Sequence, residues 1–137
     1  MGNVRHIAVV VAAVIFFIVG ALWYTVLAGP WLAGIGKTME QMTRESGGSP
    51  APYIIGFFAI LLMCYTLAAL INRMGIRSAG AGIVLGVMVG IGLVGGMLAL
   101  NYGFEIRSPT LWAINALYAT VGLAIAGAII GGWQKKA

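Results

Sequence analysis

The chain has 137 residues, of which 61% are hydrophobic and 8% charged, with a formal net charge of +5. Soluble domains carry about 25% charged residues, so this composition excludes a water-soluble globular domain and leaves room for a single membrane domain. One cysteine, Cys64, and one histidine, His6, exclude a disulfide framework and a Cys/His metal cluster, and no cofactor is expected.

The first apolar run covers residues 7–27 and is longer than the 7–15 residues of a signal-peptide core, so it reads as a retained membrane span. Trp23 and Tyr24 near its end suit a membrane interface. Residues 30–45 read as one amphipathic helix: Trp31, Leu32, Ile35, Met39 and Met42 share a face, and Lys37, Glu40, Gln41, Arg44 and Glu45 oppose it. Glu40 precedes Arg44 at the spacing of a helical ion pair. The helix either lies in the membrane interface or caps the bundle, and Ser46–Pro52 ends it as a loop. A second span covers 53–73, where Tyr65, Ala68, Ala69 and Asn72 make a small and polar stripe fit for helix contact. A short turn then predicts that the second and third spans are antiparallel neighbours.

The third span, residues 79–102, is the stretch the rest is expected to be built around. It is uncharged and rich in glycine. Gly82, Gly86 and Gly90 are spaced by four, as are Gly92 and Gly96, and regular helical geometry puts all five on one half of the helix. Bare backbone there invites a closely packed partner helix. Ser108 and Pro109 form a helix start for the fourth span, 109–133, in which Gly127 and Gly131 are again four apart. The expected fold is therefore all-α and integral to the membrane, a bundle of four transmembrane helices with one amphipathic helix.

Four spans put both termini and the turn after the second span on one side, with Arg5, Arg73, Arg77, Lys135 and Lys136 and no acidic residue. The other side carries Lys37, Arg44 and Arg107 against Glu40, Glu45 and Glu105. The positive-inside rule sends the termini to the cytoplasm. Basic residues at membrane ends set orientation, so the net charge does not argue for a nucleic-acid partner.

Several motifs resemble those of the domain-of-unknown-function 1761 family. Gly20-Ala21-Leu22-Trp23-Tyr24, then Pro30-Trp31 and Gly36, resemble its opening signature. Asn101, Phe104, Leu111, Ile114-Asn115, Tyr118, Gly127, Gly131 and Trp133 resemble its second half. The family's loop after Trp-Tyr usually carries an aromatic and a basic residue, whereas here it reads Thr25-Val26-Leu27-Ala28-Gly29. The resemblance implies a small bacterial protein with four spans and brings no established activity.

No acidic residue lies within a span, which argues against a proton-driven exporter. Cys64 and Ser108 have no histidine or carboxylate partner at a matching depth, so no enzyme is expected. Asn115 lies about two turns into the fourth span with Tyr118 on its face, and Trp23, Tyr24, Asn101 and Tyr102 end other spans on the same side. These six residues either fix helix packing or line a small cavity for a neutral or lipid-like ligand. The functional expectation is a structural or accessory membrane protein, self-associating as a homo-oligomer and partnered by membrane lipids. The alternative is a small channel or transporter at an oligomer axis.

Overall fold

The structure, a computed structural model, describes residues 4–134. Lys135 and Lys136, used above for orientation, lie outside the described residues. The elements are α1 (His6–Val26), α2 (Ala28–Ile35), α3 (Met39–Ser46), α4 (Ala51–Met74), α5 (Ala79–Val87), a π-helical stretch (Met88–Gly95), α6 (Gly96–Glu105) and α7 (Pro109–Gly132). The described residues are all-helical with no strand. α5, the π-helical stretch and α6 run on as one helix. With α1, α4 and α7 it makes four helices long and apolar enough to cross a membrane.

The starts follow from local chemistry. Ser78 and Ser108 accept the amide protons of Ala81 and Leu111 at 3.2 and 3.1 Å, which satisfies amides that no helical carbonyl reaches. The stops use a left-handed residue that turns the chain out of the helix: Gly36 at φ 72° and Gly75 at φ 70°, where a side chain would be strained. Ile106 does the same at φ 56° after α6.

The hub of the bundle is α7, not the third span as composition suggests. Half of its span (50%) is buried, against 22% for the third. α7 packs against α5, the π-helical stretch, α1, α4 and α2, whereas α5 packs chiefly on α7 and only slightly on α4. The second and third spans are thus joined by a turn but are not packed neighbours. α1, α4 and α7 enclose the core, in which Val9, Phe16, Cys64, Leu67, Ile71, Leu123 and Ile130 are buried. On α4 the buried face is Ile60, Cys64, Leu67, Ala68 and Ile71. The expected stripe through Tyr65, Ala69 and Asn72 flanks it half-buried.

The segment expected as one amphipathic helix is two short ones. Gly36 stops α2, and Thr38 starts α3 with a reciprocal cap: its hydroxyl accepts from Gln41 N at 3.1 Å, and Gln41 Oε1 accepts from Thr38 N at 2.8 Å. The break resets the helical phase. Glu45 therefore pairs with Lys37 at 2.6 Å, and the predicted Glu40–Arg44 pair is not among the ion pairs of the described residues. α2 packs on α7 and α1, with Gly34 drawn up to Leu111. α2 is the part that caps the bundle, while α3 is largely exposed.

Gly82, Gly86 and Gly90 all lie against α7. The carbonyl oxygens of Gly82 and Gly127 each occupy the place that a methyl on the other would take, and the Leu123 carbonyl does the same at Gly86. A methyl on Gly90 would stand 2.5 Å from Thr120 Cα. Bare Cα groups facing carbonyls in this way make weak Cα–H···O contacts, each worth about 0.5–1 kcal/mol. Gly92 and Gly96 do not share this face: both are exposed, and nothing stands within 4 Å of a methyl built on either. Gly92 stands about 200° round from Gly90 even in a regular helix, and the π-helical stretch shifts the rest of the face. Its wider turn carries the contact face forward by five residues, from Gly90 to the buried Gly95, rather than by four. The Trp112 indole N–H donates to the Gly95 carbonyl at 2.9 Å and ties this stretch to α7.

Candidate functional site

The end of the bundle opposite the termini gathers the polar and aromatic side chains. α1 and α7 run antiparallel there and interlock through two notches. The Phe16 ring of α1 fills the space over Gly122 of α7, and the Tyr118 ring of α7 fills the space over Gly20 of α1. The two rings meet edge to face at 5.3 Å and 89°, the geometry that the ring quadrupole favours. The Tyr118 hydroxyl donates to the Phe16 carbonyl at 2.9 Å.

Around this lock the spans are tied by hydrogen bonds. Trp23 Nε1 donates to the Ile114 carbonyl at 3.0 Å. The Tyr24 hydroxyl donates to Asn115 Oδ1 at 2.6 Å, and Asn115 Nδ2 donates to the Tyr102 hydroxyl at 2.8 Å. One amide on α7 thereby ties α1 to α6. Tyr24 also stands edge-on to Tyr118 at 5.3 Å and to Trp31 of α2 at 5.2 Å. The Arg107 guanidinium lies 5.7 Å from the centre of the Tyr102 ring and is held by Glu105 at 2.6 Å.

Of the six residues singled out, Trp23, Tyr24, Tyr102, Asn115 and Tyr118 come together. Asn101 does not: it lies exposed on α6 and takes no part in this network. The reason is angular, since Tyr102, its neighbour, faces α7, and adjacent helical residues point about 100° apart. Trp23 and Tyr24 turn inward onto α7 rather than out to the interface. Phe16 and Trp112 also belong to the assembly: Phe16 is apolar, and the Trp112 indole lies near a span end, where such rings ordinarily read as interface residues. Phe16 sits one helical turn before Gly20, which is the trace it leaves.

The rings pack on one another, and both ends of the Asn115 amide are engaged within the protein. The network is a set of interhelical ties. Asn115→Leu should destabilise the fold by about 1–3 kcal/mol, because it strands the Tyr24 and Tyr102 hydroxyls in a half-buried setting. A double-mutant cycle with Tyr24→Phe should return a coupling of about 0.6–1.7 kcal/mol, the range for hydrogen bonds between membrane helices. Denaturant titration of the detergent-solubilised protein measures both, and a coupling of zero would mean that the bond does no work.

Elsewhere, His6 Nδ1 and the Tyr65 hydroxyl lie 2.8 Å apart and link α1 to α4 near the other end. Cys64 is buried in the core. Among the described residues no three His, Cys, Asp or Glu side chains come together as a metal site.

These features define a class: an all-helical protein with four helices fit to cross a membrane, tied together at one end by polar and aromatic contacts. The chain belongs to the family described as "Protein of unknown function (DUF1761)", whose model matches residues 7–131. No curated protein and no solved structure matches it.

Proposed function

We propose that this is a structural or accessory membrane protein that self-associates and works through helix and lipid contacts, rather than an enzyme or a transporter. The observation that carries this reading is where the polar groups of the spans go. Trp23, Tyr24, Tyr102, Trp112, Asn115 and Tyr118 each hydrogen-bond a neighbouring helix. The outward surface is correspondingly apolar, with Ile18, Leu22, Ile55, Phe58, Leu62, Met88, Leu93 and Met97 all more than half exposed. Charge asymmetry supports an orientation with both termini in the cytoplasm, and the family resemblance supports a bacterial cytoplasmic membrane.

Self-association is supported by the flank of the third span that α7 leaves uncovered. Gly92 and Gly96 present bare backbone there, one helical turn apart. In lipid, helices associate through close packing of such surfaces. Donor- and acceptor-labelled copies in vesicles should show energy transfer that persists as lipid is added, and Gly92→Leu with Gly96→Leu should abolish it. Transfer that falls with dilution as for randomly mixed monomers would overturn the oligomeric reading. Protein-dependent leakage of small ions from the same vesicles would favour a channel instead.

A further inference from the structure

Charge is sorted by end in this protein. All three carboxylates, Glu40, Glu45 and Glu105, stand at the end that carries α2 and α3, where Glu45 and Glu105 are held by Lys37 and Arg107. Arg5, Arg73 and Arg77 stand at the opposite end, where no carboxylate occurs among the described residues. Two of these arginines bracket a tight turn whose shape is fixed. The Gly75 amide donates to the Asn72 carbonyl at 3.3 Å, and the Ile76 amide to the Ile71 carbonyl at 3.0 Å. The Ile76 side chain packs into the core beside Gly131. With Ile76 plugged inward, Arg73 and Arg77 are left exposed on either side of it.

The end of α7 completes this surface. Gly131 lies against Ser78 and Ile76, and Gly132 lies against Ala79. The next residue, Trp133, is therefore beside the turn, and it is 42% exposed. Indole rings settle at headgroup depth. Exposed apolar side chains, Met74 and Ile83, flank the turn on the two helices that it joins.

We propose that the Arg73–Arg77 turn, with Trp133 beside it, binds the headgroup of an anionic phospholipid. The turn joins two membrane-spanning helices through four residues, Gly75–Ser78, so its guanidinium groups cannot rise far above the headgroup layer. Arginine presents a planar fork of donors that matches phosphate oxygens. No internal carboxylate competes for that fork among the described residues. This site is separate from the uncovered flank of the third span and does not depend on whether copies associate.

Trp133 is a reporter built into the site, because Trp23, Trp31 and Trp112 lie toward the other end. The full chain is placed in phosphatidylcholine nanodiscs containing a minority of brominated-chain phosphatidylglycerol or, separately, brominated-chain phosphatidylcholine. The Trp133 signal is the difference between the unaltered protein and Trp133→Phe. The brominated anionic lipid is expected to quench Trp133 more than the brominated neutral lipid does, and rising salt should reduce that excess. Arg73→Gln and Arg77→Gln should each weaken the local enrichment by about fivefold, while Lys37→Gln with Arg44→Gln should leave it unchanged. Equal quenching by the two lipids in the unaltered protein would overturn the proposal without any arginine variant. An excess that survives Arg73→Gln with Arg77→Gln would overturn it too, by placing the lipid on other residues.

Discussion

Gly86→Ala should destabilise the fold by about 2–3 kcal/mol, the upper range for overpacking a close-packed contact. The same substitution at Gly80 should be neutral or stabilising by up to about 1 kcal/mol, since alanine is the better helix former. Both residues lie on α5, Gly80 in its first turn and Gly86 further along. What differs is the space each methyl would enter. At Gly86 it would meet the carbonyl of Leu123 and the Cα of Ala124, which are backbone atoms and cannot turn aside as the end of a side chain can. At Gly80 nothing stands within 4 Å. Relief at Gly86 therefore requires α5 and α7 to separate, which would also loosen the contacts at Gly82 and Gly90. Unfolding of both variants by denaturant in mixed micelles, followed by loss of helical signal, gives the comparison. If Gly86→Ala were as stable as Gly80→Ala, the helices would not be in backbone contact.

Tyr118→Ala should cost about 3–4 kcal/mol, the usual loss when a packed aromatic is truncated. Tyr118→Phe should cost no more than about 1.5 kcal/mol, the typical net worth of one hydrogen bond. The argument lies in the two notches. The Tyr118 ring covers Gly20 and touches Phe16 and Tyr24, so its removal leaves a glycine facing a void and unseats the rings on either side. The hydroxyl adds only a bond to the Phe16 carbonyl. A further consequence is reciprocity: Gly20→Ala would press on the tyrosine ring from the opposite side, and Tyr118→Ala should relieve that pressure. Thermal denaturation of the single and double variants should show Gly20→Ala to be less harmful when Tyr118 is already alanine. Strict additivity would mean that the notch does not exist.

The four spans were legible because length and hydropathy alone define a membrane-crossing helix. Where spans were expected at 7–27, 53–73, 79–102 and 109–133, the structure has helices long and apolar enough to cross a membrane at His6–Val26, Ala51–Met74, Ala79–Glu105 and Pro109–Gly132. What was hidden was the rank of the helices. Glycine spacing reveals that a close neighbour is wanted, and it is silent on how many neighbours come. The third span has one main partner, while α7, with its mixture of alanine, glycine and aromatic residues, is surrounded.

The misplacement of Gly92 and Gly96 has a different cause. A wheel drawn at a constant 100° per residue cannot anticipate a π-helical turn, across which the contact face passes from Gly90 to Gly95 and Trp112 bonds the Gly95 carbonyl. Of the polar cluster, Tyr24, Tyr102, Asn115 and Tyr118 could be brought together by helix ends and facing. Asn101 ends its span on the same side as Tyr102, but depth alone does not fix facing, and adjacent helical residues point about 100° apart. The broken amphipathic helix left a trace in Gly36 and in the Thr38-to-Gln41 cap, which the continuous apolar stripe obscured.

The position of α7 has a bearing on how the protein comes together as it is made. Translation proceeds from the N-terminus, so the helix against which the other three pack is the last of the four to leave the ribosome. Until then α1 and α4 have each other, and the third span has almost nothing to hold. The notch at Gly20 stands empty and Phe16 has no seat. A nascent chain arrested before Pro109 should therefore dwell in the membrane as loosely associated helices, open to quality-control proteases, and the arrival of one final segment should convert it into a finished particle.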